Sequence, residues 1–439
     1  MTAAPSTRGD LGTVVAEVTA RIREHIADPQ VFATTQGLAH GPAGAALLLS
    51  EASRRDTALR KSVHALLAAA ATTAADPDLG LLTGLGGLGF TVKHATRSPQ
   101  DYATLRTRID AALRNGLAEL LDAEHPRIEA GAPGARRDRF DAVFGVTGIG
   151  RYFLAEPSDP AAVRDVLHHL VTLTEPVRDP GYGELGRLPG WFSPPWPEGM
   201  GRNSREWVLD LGLAHGVAGP LALLSLCWTR GIRVPDQETA IRRIAQWLMS
   251  WRQGDENTGP WWPKTVSAAQ ERAAERPALK RGPGAGGRPS WCYGTPGIAR
   301  ALHLAGTALG EEEWIRGAAD AMRAVFTSPD RMRGMDDPGL CHGLAGLLQI
   351  TGRMADELED PSLAARADEL AEQLCARFTP GSAFGFPTVL LYADRPQPLD
   401  SPTFLEGAAG VALALHERIA PPTGDHAGEL SWDAALMLS

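Results

Sequence analysis

The feature that most constrains this chain is a Gly-x-x-Gly followed by an apolar run, which recurs seven times along 439 residues. The copies open at Gly41 (GPAGAALLL), Gly84 (GLGGLGF), Gly145 (GVTGIGRYFL), Gly216 (GVAGPLALL), Gly294 (GTPGIARAL), Gly343 (GLAGLLQI) and Gly407 (GAAGVALAL). Ahead of each lies a stretch with apolar residues at three- and four-residue spacing, such as LGTVVAEVTARIREHI, ETAIRRIAQWLMSW or EEEWIRGAADAMRAVF, the mark of an amphipathic helix. A helix apolar on nearly every side has to be buried, and one with a charged face has to cover it. Glycine at a helix start lets backbones approach closely and leaves N–H groups open toward a common point. The pattern predicts an all-α chain, an α/α toroid of seven inner and seven outer helices with its glycine loops gathered at one end.

The copies are 43 to 78 residues apart, so the units are unequal and do not form a regular solenoid. Taken singly, a Gly-x-x-Gly does no more than relieve crowding where a helix begins. Residues 1–439 are expected to form one toroid domain carrying irregular loop insertions at about 176–209 and 253–290. Loops of that length inside a compact domain usually serve a function. Within the second, PWWPK is expected to be ordered and LKRGPGAGGRPS mobile.

Two cysteines sit just ahead of glycine pairs: Cys292 in SWCYGTPG, and Cys341 in LCHGLAG with His342 beside it. Residue type alone leaves packing, a redox pair and metal ligation open. Catalytic zinc takes three ligands of Cys, His or carboxylate type and keeps a fourth position open, whereas structural zinc closes with Cys-x-x-Cys knuckles, which this sequence lacks. On a toroid, Cys292 and Cys341 would precede glycine-opened helices of neighbouring repeats and share a rim; inert burial is the other reading. His215 (LGLAHGVAG) and His40 (GLAHGPAG) hold the same place before a glycine as His342 does. A histidine there is either an acid or base near neutral pH or a ring bonded to the helix start. Asp141, four residues before Gly145, is either a rim residue or an N-cap. Arg288, four residues before Cys292, can hold an anion or pair with Asp141. Cys227 and Cys375 fall inside helical patterns and are assigned to packing.

Composition narrows the classes. A formal charge of −9 and a pI near 5.8 argue against a dedicated nucleic-acid binder. Four cysteines are too few for a disulfide-stapled secreted chain. The start MTAAPSTRGDLGTVV lacks the form of a signal peptide, and no run approaches the roughly 20 apolar residues of a membrane span. A cytoplasmic location is expected.

WCYG followed downstream by CHG, together with LGLAHGVAGP, the Asp141 motif and the seven glycine repeats, resembles the lanthionine synthetase C family of lanthipeptide cyclases. The resemblance spans essentially the whole chain, and the length suits a stand-alone cyclase. It implies one Zn2+ per chain held by Cys292, Cys341 and His342. It also implies catalytic roles for His215 and Asp141, with Arg288 and Tyr293 as further site residues. The implied reaction is addition of a peptide cysteine thiolate to dehydroalanine or dehydrobutyrine, closing a thioether ring. The implied partners are a dehydrated precursor peptide with its leader and, in the same pathway, a dehydratase and a transporter. On that reading Trp191, Trp196, Trp261 and Trp262 would frame a peptide groove. Competing readings are transfer of a small thiol such as glutathione to a dehydrated residue, a zinc-dependent prenyltransferase, and a non-catalytic scaffold of a modification complex. The adjacent Cys-His and WCYG speak against the prenyltransferase, and a complete site against the scaffold.

Overall fold

A computed structural model describes residues 7–28, 31–33, 35–72, 78–155, 159–181, 186–196, 206–255, 259–273, 277–279, 288–327, 329–332, 334–390, 397–419 and 430–439. Most of the LKRGPGAGGRPS segment lies outside the described residues. By packing, residues 1–109 with 334–434 form one compact unit, and residues 110–333 with 435–439 form another.

Each of the seven glycine motifs opens a helix: Pro42–Ala52, Leu85–Ala95, Val146–Ala155, Ala218–Thr229, Thr295–Leu309, Leu344–Glu357 and Ala408–Ile419. The alternate helices are Thr7–Glu24, Arg60–Thr72, Ala103–Glu129, Pro160–Leu173, Gln237–Ser250, Glu312–Val325 and Pro361–Ala376. The two classes differ as their sequences require. In AGPLALLSLCWT every residue from Ala218 to Cys227 is buried, because no face offers a charge to solvent. In Glu312–Val325 the buried set includes Trp314, Ala318, Ala321, Met322 and Val325, one stripe at helical spacing, and the acidic residues lie outside it. Two of the covering helices start on Asp-Pro. Asp159 caps Ala161 and Ala162 N–H (both 3.1 Å), and Asp360 caps Ser362 and Leu363 N–H at 2.8 and 3.1 Å.

In the first unit the buried helices Leu344–Glu357, Ala408–Ile419, Pro42–Ala52 and Leu85–Ala95 pack in that sequence, each on the next. In the second, Val146–Ala155 packs on Ala218–Thr229, which packs on Thr295–Leu309. The covering partner of a buried helix is the amphipathic helix that follows it: Arg60–Thr72 covers Pro42–Ala52, Glu312–Val325 covers Thr295–Leu309, and Pro361–Ala376 covers Leu344–Glu357. Thr7–Glu24, which has no buried helix ahead of it, packs on the last one, Ala408–Ile419.

The long loops hold more order than their Gly- and Pro-rich sequences suggest. Val177–Arg178 pairs antiparallel with Arg187–Leu188, and Val208–Asp210 pairs antiparallel with Thr265–Ser267. The second pairing ties one insertion to the other and leads directly into the loop that carries His215.

Candidate functional site

Six of the seven glycine loops share one backbone form. The first glycine of each motif lies against the carbonyl six residues earlier: Gly41 on Thr35, Gly84 on Asp78, Gly216 on Asp210, Gly294 on Arg288, Gly343 on Asp337 and Gly407 on Ser401. The second glycine repeats the relation, Gly297 on the Trp291 carbonyl and Gly346 on that of Leu340. A Cβ at any of these positions would fall within 3 Å of backbone oxygen, so the glycines serve close approach, not chemistry. Three residues before the first glycine a large apolar side chain is fully buried (Leu38, Leu81, Leu213, Trp291, Leu340 or Phe404) and pins the loop. The residue just before the first glycine is His40, Thr83, Phe144, His215, Tyr293, His342 or Glu406.

Neighbouring loops are laced by backbone hydrogen bonds. In the second unit Ala142 N–H donates to the Ala214 carbonyl (3.0 Å), and Ala214 N–H donates to the Cys292 carbonyl (3.3 Å). In the first, Cys341 N–H donates to Leu405 (3.0 Å), Leu405 to Ala39 (3.3 Å) and Ala39 to Leu82 (2.8 Å). The backbones that carry Asp141, His215 and Cys292 are thereby fixed in register.

The loop before Gly145 departs from the common form, with Asp141 where glycine or a small residue stands elsewhere. Asp141 is fully buried. Its Oδ1 accepts from Val143, Phe144 and Gly145 N–H at 2.9, 2.7 and 3.0 Å, and its Oδ2 lies 2.6 Å from His215 Nδ1. Asp141 thus serves its own loop through Oδ1 and meets His215 through Oδ2. The His215 ring stacks near Phe144 (centroids 5.6 Å apart) and meets Trp196 edge-on at 5.0 Å. With Nδ1 on the carboxylate, Nε2 is the nitrogen available for proton transfer.

Tyr293 donates its hydroxyl to Asp210 Oδ2 at 3.1 Å, while Asp210 Oδ1 accepts Gly212 N–H at 3.0 Å. Arg137 lies 3.7 Å from Asp210 Oδ2 and 4.6 Å from the Trp196 ring centre. Cys292 Sγ is 3.7 Å from Ser290 Oγ, and the Arg288 carbonyl lies under Gly294, whose φ of +112° favours glycine. His342 Nε2 lies 3.5 Å from Asp337 Oδ2, which also accepts from Thr388 Oγ1 at 3.0 Å, and Asp337 Oδ1 accepts Gly339 N–H at 2.7 Å. Burial works against the Asp337 carboxylate, yet His342, Gly339 and Thr388 outweigh it and hold its pKa below the ordinary value.

Among the described residues, Cys292, Cys341 and His342 form a group whose ligand atoms all lie within 4.8 Å of one another. Two sulfurs and one imidazole nitrogen suit zinc in a three-ligand site of catalytic type. The other thiols differ. Burial pushes Cys227 up to about 12 and Cys375 up to about 11, in keeping with packing roles. His40 is half exposed and sits 4.0 Å from the Glu406 carboxylate.

The expected tryptophan groove is corrected. Trp191, Trp261 and Trp262 are buried, Trp191 edge-on to Trp247 and Trp262 donating Nε1–H to the Leu248 carbonyl at 2.7 Å, and of the four it is Trp196 that meets His215. Asp210 and Asp337 were not singled out from the sequence. Their signal is the pattern Asp-x-Gly-Leu-x-x-Gly, read as DLGLAHG at 210–216 and DPGLCHG at 337–343, and as DLGLLTG at 78–84 where no site side chain is attached.

Residues 33–427 match a family model described as lanthionine synthetase C-like protein. Nisin biosynthesis protein NisC of Lactococcus lactis subsp. lactis is 22% identical over 317 residues, 70% of each chain. A solved structure of nisin cyclase superposes with a TM-score of 0.73 over 97% of both chains, at 19% identity. That likeness shows the fold, the all-α toroid class expected from the sequence. No helix among the described residues is long and apolar enough to cross a membrane.

Proposed function

Because the chain belongs to the lanthionine synthetase C-like family, we propose that it is a zinc-dependent cyclase that closes thioether rings in a dehydrated precursor peptide in the cytoplasm. The observation that carries this reading is the bond from Ala214 N–H to the Cys292 carbonyl. It holds the loop of a carboxylate-bound histidine against the loop of a metal-donor thiol, so acid and thiolate chemistry come from adjacent backbones.

Cys292, Cys341 and His342 are the residues that would hold zinc. A zinc ion there supplies deprotonation of a substrate cysteine, whose free thiol of pKa about 8.5 is mostly protonated at neutral pH. In the reaction the cysteine sulfur bonds to the β-carbon of dehydroalanine or dehydrobutyrine. The alkene electrons move toward the adjacent carbonyl as an enolate, and the α-carbon then takes a proton. His215 donates that proton from Nε2, and the ring recovers one from the thiol proton released to solvent, so the net change is addition of S–H across the double bond. Asp141 holds Nδ1 and stabilises the charged ring, as a buried carboxylate does for a catalytic histidine. Phe144, stacked on the ring, and Trp196, edge-on to it, pack the imidazole in place. We assign Arg288 to the developing negative charge and Tyr293, held by Asp210, to orienting the reacting carbonyl.

The test offers zinc-loaded protein a dehydrated, cysteine-bearing peptide with excess glutathione. Ring closure consumes the peptide thiol without adding mass, because the tethered alkene is present at high effective concentration. A product heavier by one glutathione, with its own cysteine free, would replace the cyclase with a small-thiol transferase. No product at all would leave a scaffold.

A further inference from the structure

Three buried aspartates near the candidate site divide their carboxylates in the same way. Asp141, Asp210 and Asp337 each give Oδ1 to loop N–H groups and Oδ2 to a side chain, His215, Tyr293 and His342 respectively. The Asp141 and Asp210 partners are proposed chemical groups, whereas the Asp337 partner is a proposed metal ligand. The loop bond fixes the carboxylate and the carboxylate fixes the ring. Thr388, from the strand Thr388–Leu390, adds a second constraint on Oδ2 at 3.0 Å. An imidazole that donates Nε2–H to a carboxylate is the tautomer whose Nδ1 carries a lone pair.

We propose that Asp337, braced by Thr388 and the Gly339 amide, is a positioning residue that holds His342 by Nε2 and so selects Nδ1 as the nitrogen that binds the metal. The proposal rests on the reading of Cys292, Cys341 and His342 as zinc ligands. Carboxylate partners of this kind raise ligand basicity and remove the rotational freedom of the ring, and their loss commonly weakens metal binding about 10- to 100-fold. Asp337→Asn separates this role from loop bracing. The Gly339 N–H requires an oxygen, so the amide NH2 of asparagine takes the place of Oδ2. It then donates to Nε2, which favours the Nδ1–H tautomer and blocks the coordinating nitrogen.

The experiment measures zinc affinity by chelator competition in the full-length wild type, Asp337→Asn and Thr388→Val. It also records 15N NMR of His342 and thermal unfolding of each metal-free protein. The expected result is zinc affinity weaker by about 10- to 100-fold in Asp337→Asn and by roughly 2- to 10-fold in Thr388→Val. His342 should change from the Nε2–H to the Nδ1–H tautomer in Asp337→Asn, with unfolding of the metal-free proteins unchanged. Wild-type zinc affinity in Asp337→Asn overturns the proposal while leaving the ligand set intact. A loss of affinity with an unchanged tautomer and a matching loss of metal-free stability overturns it as well, since Asp337 would then be a loop brace. A wild type that binds no zinc overturns both this proposal and the ligand reading beneath it.

Discussion

Asp141 Oδ2 and His215 Nδ1 stand 2.6 Å apart across two loops that are themselves joined by the Ala142–Ala214 backbone bond. The backbone pair holds the two loops in register, and the side-chain pair orients the imidazole on the carboxylate. A ring fixed this closely is suited to delivering a proton at one defined place.

Asp141→Asn should keep an oxygen for the Val143, Phe144 and Gly145 amides while removing the charge that supports the imidazolium. Ring closure is expected to fall by about 10²-fold or more with zinc content unchanged. His215→Ala should lose at least as much and also retain zinc. Because cyclisation is mass-neutral, free-thiol labelling of a dehydrated peptide is the appropriate assay. Wild-type rates in either variant would remove that residue from the mechanism.

Metal analysis should find about one zinc per chain by the three-ligand reading. Cys292→Ala and Cys341→Ala should each lose it while far-UV circular dichroism stays helical. The helices draw their stability from buried faces such as Ala218–Cys227, which include none of the proposed ligands. Full zinc occupancy in both variants would contradict the ligand assignment.

The helices and the candidate site are legible in the sequence to different degrees, for different reasons. Helices were readable because each buried one begins at a glycine and each covering one repeats at 3.6 residues. Cys292, Cys341, His342, His215 and Asp141 stand out because WCYG, CHG, LGLAHGVAGP and the Asp141 motif resemble a known family, whereas residue type alone leaves packing and capping open. The covering partner of a helix is less legible: periodicity shows that a face must be covered, not by which neighbour, and for Pro42–Ala52, Thr295–Leu309 and Leu344–Glu357 it is the helix that follows, while for Ala408–Ile419 it is Thr7–Glu24. The sequence does not show that the indoles of Trp191, Trp261 and Trp262 are buried instead of lining a groove, since a tryptophan beside prolines gives no sign of which side it fills. Asp210 and Asp337 look like ordinary turn aspartates, and a sequence shows one duty per carboxylate where the structure uses two.

His169 provides a pH signature on the covering helix Pro160–Leu173. Burial, reinforced by the nearby Arg127 charge, lowers its pKa from 6.5 to about 4. Above pH 6.5 neither folded nor unfolded chain holds the proton, and the stability associated with the neutral ring is fully present. As pH falls from 6.5 toward 4 the unfolded chain binds the proton first. Folding therefore weakens with acidification, by roughly 3 kcal/mol at most from this residue. Urea midpoints of wild type and His169→Leu across that range should diverge in slope, the variant being flatter. Parallel slopes would show that His169 keeps its ordinary affinity for protons.

Gly346→Ala should be costly although alanine is the better helix former. Its Cβ would meet the Leu340 carbonyl, and Leu340 is fully buried with its N–H committed to Leu405. A loss of about 1–3 kcal/mol is expected. Gly12→Ala, with nothing within 4 Å of the added carbon, should instead be neutral or slightly stabilising. Equal effects in chemical denaturation would mean that the close approach at Gly346 is readily relieved.

The shared form of the glycine loops makes them behave like a rack of identical sockets. Each backbone is set by its two glycines and one buried apolar anchor, so the residue before the first glycine varies on the same mount: threonine at 83, histidine at 215 and 342, tyrosine at 293, glutamate at 406. Reactivity is thereby uncoupled from folding. The 337–343 loop sets its own aspartate against its own histidine, whereas the 210–216 loop, with the same spacing, gives Asp210 to Tyr293 and leaves His215 to Asp141, so one mount carries two different wirings.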